Sequence, residues 1–550
     1  MREFTETRTL RAMRSIAWGT IALAAAACSS QAPTDERPNI LLIVADDLGY
    51  ADLGIYGSDI RTPNIDAIAG EGVLFTQFHT APSCAPSRAM LLSGNNNHVA
   101  GMGAQGGAPP ALRGVPGYEG HLSDRVAPLP RLLGDSGYHT YSTGKWHLGL
   151  RPENSPAAIG FERSFHLLDG AGAHFSDVGF FAGGSTYRED MDEVSYPEGA
   201  YSTELFTDRL IEFIEEGRAD QDPFFAFAAF TSPHWPLQVP DAELDRYAGV
   251  YDDGYDALRE RRFASLKAAD IVPDHWTLPP RNDVITPWED LSMEDRRRES
   301  RKMELYAAMV ENLDGHVGRL VDYLKSSRLY DNTLIVFMSD NGAAAEDFYN
   351  SGNYAPYLRE NYDNTLANMG SSTSFVAYGP QWAEAGSAPF SRRKTYTREG
   401  GLVSPMIVAG PGVASSGIID RSYVTVMDLA PTFLGMAGAT YPDDGSVRPM
   451  LGESMTALLN GTADSVHDSE YVTVLYHSGR ALVRKGAWKL SNLEPPFSPD
   501  AFELFNVEVD PGETTNLATS EPARFAELLA LWESERLRLS IVLPSDVGDR

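Results

Sequence analysis

The polar residues that stand out are those that directly follow apolar runs. Asp46 and Asp47 follow Ile40 to Ala45, and Ser339, Asp340 and Asn341 follow Leu334 to Met338. Short, continuously apolar runs read as strands buried on both faces, and in open α/β sheets ligands sit beyond the carboxyl ends of such strands. Asp46, Asp47 and Asp340 bring carboxylates and Asn341 an amide oxygen. These hard donors suit Ca2+ or Mg2+, whereas Zn2+ calls for His or Cys. Each pair has a plain alternative: an aspartate after a strand often caps a helix, and Asn341 with Gly342 is a hairpin signal. Cys84 opens a helix-like run, where a lone cysteine can be simply a small buried residue. His147 follows Lys145 and Trp146, and His234 lies between Pro233 and Trp235. Both have the side chain for proton transfer near neutral pH, but a histidine seen alone is more often packed and satisfied.

Something must bring these scattered positions together. From Asn39 to about Gly438, apolar strand-like runs alternate with amphipathic helices, which predicts an α/β fold with a mainly parallel sheet and helices on both faces. The clearest strands are Ile40 to Ala45, Phe224 to Phe230, Leu334 to Met338 and Met406 to Ala409. The clearest helix runs from about Met293 to Leu324. Its Met303, Tyr306, Val310, Leu313, Val317, Leu320 and Leu324 recur at three-then-four spacing, and Ser292 with Asp295 supplies a capping start. Gly/Pro-rich or polar insertions break the rhythm at about Ser93 to Arg125, Pro240 to Asp290 and Asn341 to Arg393, and long loops of this kind are usually functional or mobile. After about Tyr441 short strands are expected at Tyr471 to Tyr476, Ala481 to Leu490 and Glu503 to Val509. A terminal helix from about Pro522 to Leu537 completes a smaller α+β subdomain.

The chain has 550 residues with 45 Lys plus Arg against 76 Asp plus Glu, a formal charge of −31. That balance argues against a nucleic-acid partner, because gripping a phosphate backbone needs Lys and Arg to displace counterions. Its 2 cysteines cannot build a disulfide scaffold. At the start, Arg2, Arg8, Arg11 and Arg14 precede an alanine-rich apolar run from Ser15 to Ala27, too short for the ~20 residues a membrane-spanning helix needs. Residues 1–27 therefore read as a signal peptide and 28–38 as a linker. The ending Ala25, Ala26, Ala27, Cys28 is similar to a lipobox, with Ala25 where that pattern usually has Leu. A lipid anchor at Cys28 and a periplasmic or outer-membrane location are expected, with ordinary export after Ala27 as the alternative. The remaining domains are 39–440, catalytic, and 441–550.

The string SCAPSRAMLLSG at Ser83 to Gly94 has the form CxPSRxxLLSG and resembles the signature of the type I sulfatases. Other blocks of that family occur in order: NILLIVADDLGYADLGIYG from Asn39, GYHTYSTGKWHLG from Gly137, TSPHWP from Thr231, VFMSDNG from Val336, RRKTYTREGGLVSPMIVAGPG from Arg392 and ELFNVEVDPGETTNLA from Glu503. GYEGHL from Gly117 and GFERSF from Gly160 look like the bacterial alkyl- and arylsulfatase branch. The resemblance implies an alkaline phosphatase-like fold: a large mixed, mainly parallel sheet sandwiched by helices, with a smaller C-terminal subdomain. It further implies that a maturation enzyme oxidises Cys84 to formylglycine, and that Asp46, Asp47, Asp340, Asn341 and the modified Cys84 hold one Ca2+, Mg2+ being less suited. A hydroxyl of the formylglycine hydrate would attack sulfur, giving a covalent sulfo-enzyme intermediate, with Asp340 accepting its proton. A protonated His234 would serve the leaving oxygen, and His147 would deprotonate the second hydroxyl. Arg88, Lys145 and Lys394 would complete the cation set, Arg393 being the neighbour able to replace Lys394. The activity implied is hydrolysis of an aryl or alkyl sulfate monoester. Phosphonate or phosphate ester hydrolysis on the same fold, or an inactive lipoprotein that binds sulfated glycans, are the alternatives. The insertions, where the chain departs most from the family, are expected to line the substrate entrance.

Overall fold

The computed structural model describes residues 37–547. The expected signal peptide and Cys28 lie outside them. At the centre is the strand Asn39–Ala45, buried along its whole length. It pairs in parallel with Thr333–Ser339 on one side and Phe224–Ala229 on the other. Beyond Phe224–Ala229 come His139–Lys145 and Arg163–Leu167, both parallel, then the antiparallel pair Tyr187–Glu189 and Asp192–Val194. Beyond Thr333–Ser339 come Met406–Ala409 and Val73–Phe75, each antiparallel to its inner neighbour, then Ile418–Asp420. The result is a mixed 10-stranded sheet whose middle is parallel.

Strand alternation puts a separate core on each face. Leu41, Ile43, Ala226, Ala228, Ile335 and Phe337 face one core, where the long helix Met293–Ser326 packs its Tyr306, Val310, Leu313 and Val317. Ile40, Leu42, Val44, Phe225, Phe227, Val336 and Met338 face the other, with the helices Cys84–Ser93 and Leu429–Ala437. Each such aliphatic side chain withdrawn from water contributes ~1.5–3 kcal/mol, which fixes the register wherever both faces are covered. Ser292 caps the long helix as its sequence requires, accepting from the Asp295 amide at 3.1 Å.

The second core also takes in the C-terminal residues. Val474, Leu482, Val483, Leu490, Leu504 and Trp532 belong to it, and Arg37 onward forms one compact unit. The C-terminal sheet is antiparallel and has 4 strands, Val472–His477, Arg480–Lys485, Trp488–Ser491 and Glu503–Asn506, covered by the helix Pro522–Arg538. The single strand expected from Ala481 to Leu490 is two. Gly486 at φ 55° reverses the chain in a two-residue turn, a conformation open to glycine at little cost. The insertion at 240–290 is also more ordered than its charge density suggests, since it carries the helix Gly254–Ala268.

Candidate active site

The parallel register builds the site. Ala45 pairs with Ser339, so Asp46 and Asp47 leave the sheet beside Asp340 and Asn341. Asp340 donates its amide to the Ala45 carbonyl at 3.2 Å, and Asp46 donates to Ser232 at 3.1 Å, in the loop that carries His234. Lys145 ends the next strand but one. Cys84 is the first residue of a helix buried throughout, so its sulfur meets the carboxylates from the other side of the crevice. Sγ lies 3.5 Å from Asp46 Oδ1 and 3.6 Å from Asp47 Oδ1.

Cations surround these carboxylates. Lys145 Nζ reaches Asp46 Oδ2 at 2.7 Å and Lys394 Nζ reaches Asp47 Oδ2 at 2.7 Å. Arg88 donates to Asp340 Oδ2 at 3.0 Å and to the Lys145 carbonyl at 2.7 Å. His234 Nε2 sits 3.2 Å from Asp47 Oδ2 and 3.4 Å from Lys394 Nζ. Thus Asp46, Asp47, Cys84, Arg88, Lys145, His234, Asp340 and Lys394 converge, while Arg393 turns away to Glu384 at 3.0 Å. The backbone is held in uncommon conformations at these points. Asp47 (φ 65°), His147 (φ 60°) and Thr395 (φ 75°) are left-handed without being glycine, a strain that persists only where surrounding contacts enforce it. Gly170 packs so closely on the His147 ring that a Cβ there would overlap it.

Burial and these neighbours set the protonation states. Burial alone would raise Asp47, yet Lys394, His234 and Lys145 hold it well below the usual carboxylate range. Asp340, buried and next to Asp46, is pushed up to about 6 despite Arg88. Burial drives the Cys84 thiol far above its ordinary value; Lys145 and Lys394 work against the rise and Asp47 and Asp340 add to it, so the thiol carries a proton at neutral pH. His234 falls to about 3 through burial and the nearby lysines, outweighing Asp47. It is therefore neutral at rest. Its Nδ1–H donates to the Trp235 carbonyl at 2.7 Å, leaving Nε2 as an acceptor facing Lys394. His147 is likewise neutral, lowered by burial and by Lys145 and Arg88. Its Nε2–H donates to the Gln105 carbonyl at 3.0 Å, and the buried Nδ1 has no hydrogen-bond partner.

Asp46, Asp47, Cys84 and His234 each place one ligand atom within 4.8 Å of the others. Asp340 and Asn341 lie beside this group. Asn341 Nδ2 donates to Asp47 Oδ1 at 2.6 Å and to Gly342 O at 2.8 Å, which fixes the amide's orientation and leaves its buried Oδ1 without a partner. An orphaned carbonyl oxygen beside three carboxylates fits a hard divalent cation. Gln105, unremarked in the sequence, joins two parts of the site: its side chain accepts from Ser83 Oγ and its backbone carbonyl from His147. Nothing in the Gly-rich insertion that carries it signals this.

Comparison with known proteins gives the lineage. Residues 38–439 match the model of the sulfatase family. The chain belongs to the sulfatase family. Residues 389–534 match the C-terminal domain of N-sulphoglucosamine sulphohydrolase. An arylsulfatase of Klebsiella aerogenes is 38% identical over 439 residues, 78% of this chain and 93% of that protein. An uncharacterized sulfatase of Schizosaccharomyces pombe is 37% identical over 535 residues, 93% of this chain and 95% of its own. Among solved structures, Ps i-CgsB in complex with k-i-k-neocarrahexaose superposes with a TM-score of 0.65 at 26% identity, covering 91% of this chain and 92% of that one. This sulfatase is accordingly a sulfuric ester hydrolase, and the mixed sheet with a smaller antiparallel C-terminal sheet is the fold of its relatives.

Proposed function

We propose that this sulfatase cleaves aryl or alkyl sulfate monoesters at the crevice around Cys84, after that residue has been converted to formylglycine. The observation that carries the reading is the position of Cys84: a protonated thiol, too weak a nucleophile as it stands, within 3.6 Å of two metal-type carboxylates and enclosed by Arg88, Lys145 and Lys394. As its hydrate, formylglycine would supply one hydroxyl to attack sulfur and a second through which sulfate is expelled. Asp46, Asp47, Asp340 and Asn341 would hold Ca2+, which when bound polarises a sulfate oxygen. Arg88, Lys145 and Lys394 bind and orient the sulfate, matching the charge that builds on its oxygens. Asp340, its ordinary range shifted toward neutrality, accepts the proton of the attacking hydroxyl. His147, with Nε2–H tied to Gln105, presents Nδ1 as the second base. At the leaving oxygen His234 is the acid: its Nε2, beside Asp47 and Lys394, would take up a proton from solvent as the anionic ester enters and pass it to the departing oxygen, while Lys394 keeps its charge.

The test is the mass of the Cys84 peptide from chain co-expressed with a formylglycine-generating enzyme. A formylglycine mass together with sulfate release from nitrophenyl sulfate is expected; an active preparation in which residue 84 is still a thiol sinks the mechanism. The arylsulfatase of Klebsiella aerogenes supports the substrate class. Export with a lipid anchor at Cys28, placing the enzyme in the periplasm or on the outer membrane, is part of the proposal and is supported by the N-terminal sequence. Cys28→Ser moving the protein from the membrane fraction to the soluble one is the expected result.

A further inference from the structure

A second cleft lies between the helix Gly254–Ala268, the loop that bears Lys394 and the C-terminal sheet, with a volume of about 290 Å3. Arg259 and Arg392 both line it. Arg259 is only 8% exposed, and among the described residues it has no hydrogen-bond or ion-pair partner, its Nε being wholly buried. Arg392 is half-buried at φ 65°, rests on the Tyr396 ring at 5.4 Å and has no ion pair among the described residues. Glu384 and Asp256 attract Arg259 from a distance, but among the described residues no carboxylate forms an ion pair with either arginine. Glu384 takes Arg393 at 3.0 Å, Glu513 takes Lys489 at 3.0 Å, and Glu503 takes Arg398. Arg281, a third arginine of the cleft, is bound to Asp256 at 2.8 Å, and the remaining carboxylate, Asp283, is exposed to water.

A guanidinium withdrawn from water with no directly bonded counter-charge is expensive, and buried charges are as a rule paired. Here two face one cleft while its buried acids are already neutralised by other cations. We propose that this cleft is a second oxyanion site, in which Arg259 and Arg392 grip a sulfate or carboxylate group. The planar forks of two arginines match the paired oxygens of either anion. The group comes either from free sulfate, the product, or from a second anionic substituent on the substrate; only the latter source rests on the function proposed above.

The experiment is calorimetric titration of the full-length protein with inorganic sulfate, which needs no turnover and so stands apart from the formylglycine question. The wild type is expected to show a binding event that Arg259→Gln weakens by at least ~10-fold, the scale of losing charge-assisted hydrogen bonds. Arg392→Gln, on a half-exposed loop where folding is not at stake, is expected to weaken the same event. Wild-type isotherms in both variants, or crystals soaked in sulfate that show the ion beside Cys84 and none at Arg259, would overturn the site. The KM values distinguish the sources. Arg259→Gln raising KM ~10-fold for a disulfated hexosamine, but not for nitrophenyl sulfate, assigns the site to the substrate; unchanged KM for both, with the isotherm altered, assigns it to free sulfate.

Discussion

Lys394 bears two constraints at once. Its ammonium is bonded to Asp47 and stands within reach of His234, while Lys394 N donates to the Ala343 carbonyl at 3.2 Å and Thr395 N to Pro82 at 2.7 Å. The loop is thus tied to both walls of the crevice, and the charge cannot be supplied from a neighbouring position because Arg393 points to Glu384. Lys394→Ala is expected to lower kcat by ~10²–10³-fold, the range seen when one preorganised charge-stabilising donor is lost. Steady-state rates on nitrophenyl sulfate check it, and a kcat within a few-fold of wild type would mean another cation fills the role. Asn341 allows a test free of activity. If its orphaned Oδ1 ligates the ion, Asn341→Ala weakens Ca2+ binding to metal-stripped protein by at least ~10-fold, read by calorimetry. Equal affinity would leave that oxygen unexplained.

Between residue and molecule, the elements show what holds the metal-type turn in place. Asp52, in the turn after Asp47, accepts from the Gly49 amide at 3.0 Å and from the Tyr306 hydroxyl of the long helix at 2.6 Å, and is paired with Arg262 of the Gly254–Ala268 helix. All three side chains are buried. The 240–290 insertion thus braces the turn from behind as well as lining a cleft. Removing one partner of a buried ion pair leaves an uncompensated charge, so Arg262→Gln is expected to cost ~3–5 kcal/mol, with Asp52→Asn recovering part of the loss in the double variant. Denaturant unfolding of the single and double variants measures this, and additive losses would refute coupling. The same helix marks the limit of what the sequence revealed. Met293–Ser326 was legible because its buried face is apolar, and the aspartate pairs were legible because they follow apolar strands. Gly254–Ala268 was not, because it turns Arg259 and Arg262 inward, and inward charge does not register as a periodic apolar stripe. Gln105 acts partly through its backbone carbonyl, which any residue type could offer, and the chain reversal at Gly486 lacks the usual Asn-Gly or Asp-Gly pair.

At the scale of the whole molecule, the net charge of −31 contrasts with a crevice in which Arg88, Lys145 and Lys394 are matched one for one by Asp46, Asp47 and Asp340. Screening over ~8 Å at physiological salt lets the crevice keep its own potential against that net charge. The interior also holds several histidines with no part in the proposed chemistry. Burial lowers His98 and His166 to about 3 and His174 and His477 to about 4. In the unfolded chain each titrates near ~6.5. The sign follows from these depressed folded values. As the pH falls below ~6.5 the unfolded chain takes up protons that the folded one refuses, so stability declines with falling pH, at up to ~1.4 kcal/mol per pH unit for each histidine, until the folded values are reached. The effect is spread over both cores and the C-terminal sheet, so no single site accounts for it. Differential scanning calorimetry between pH 7.5 and 5, at roughly constant ionic strength, is expected to show a steadily falling Tm, with a shallower fall when His166 is replaced by Gln, which cannot titrate. A Tm that stays level across that interval would mean these imidazoles find water or partners that let them charge within the fold, and the dry interior on which the neutral resting His147 and His234 also depend would be refuted with it.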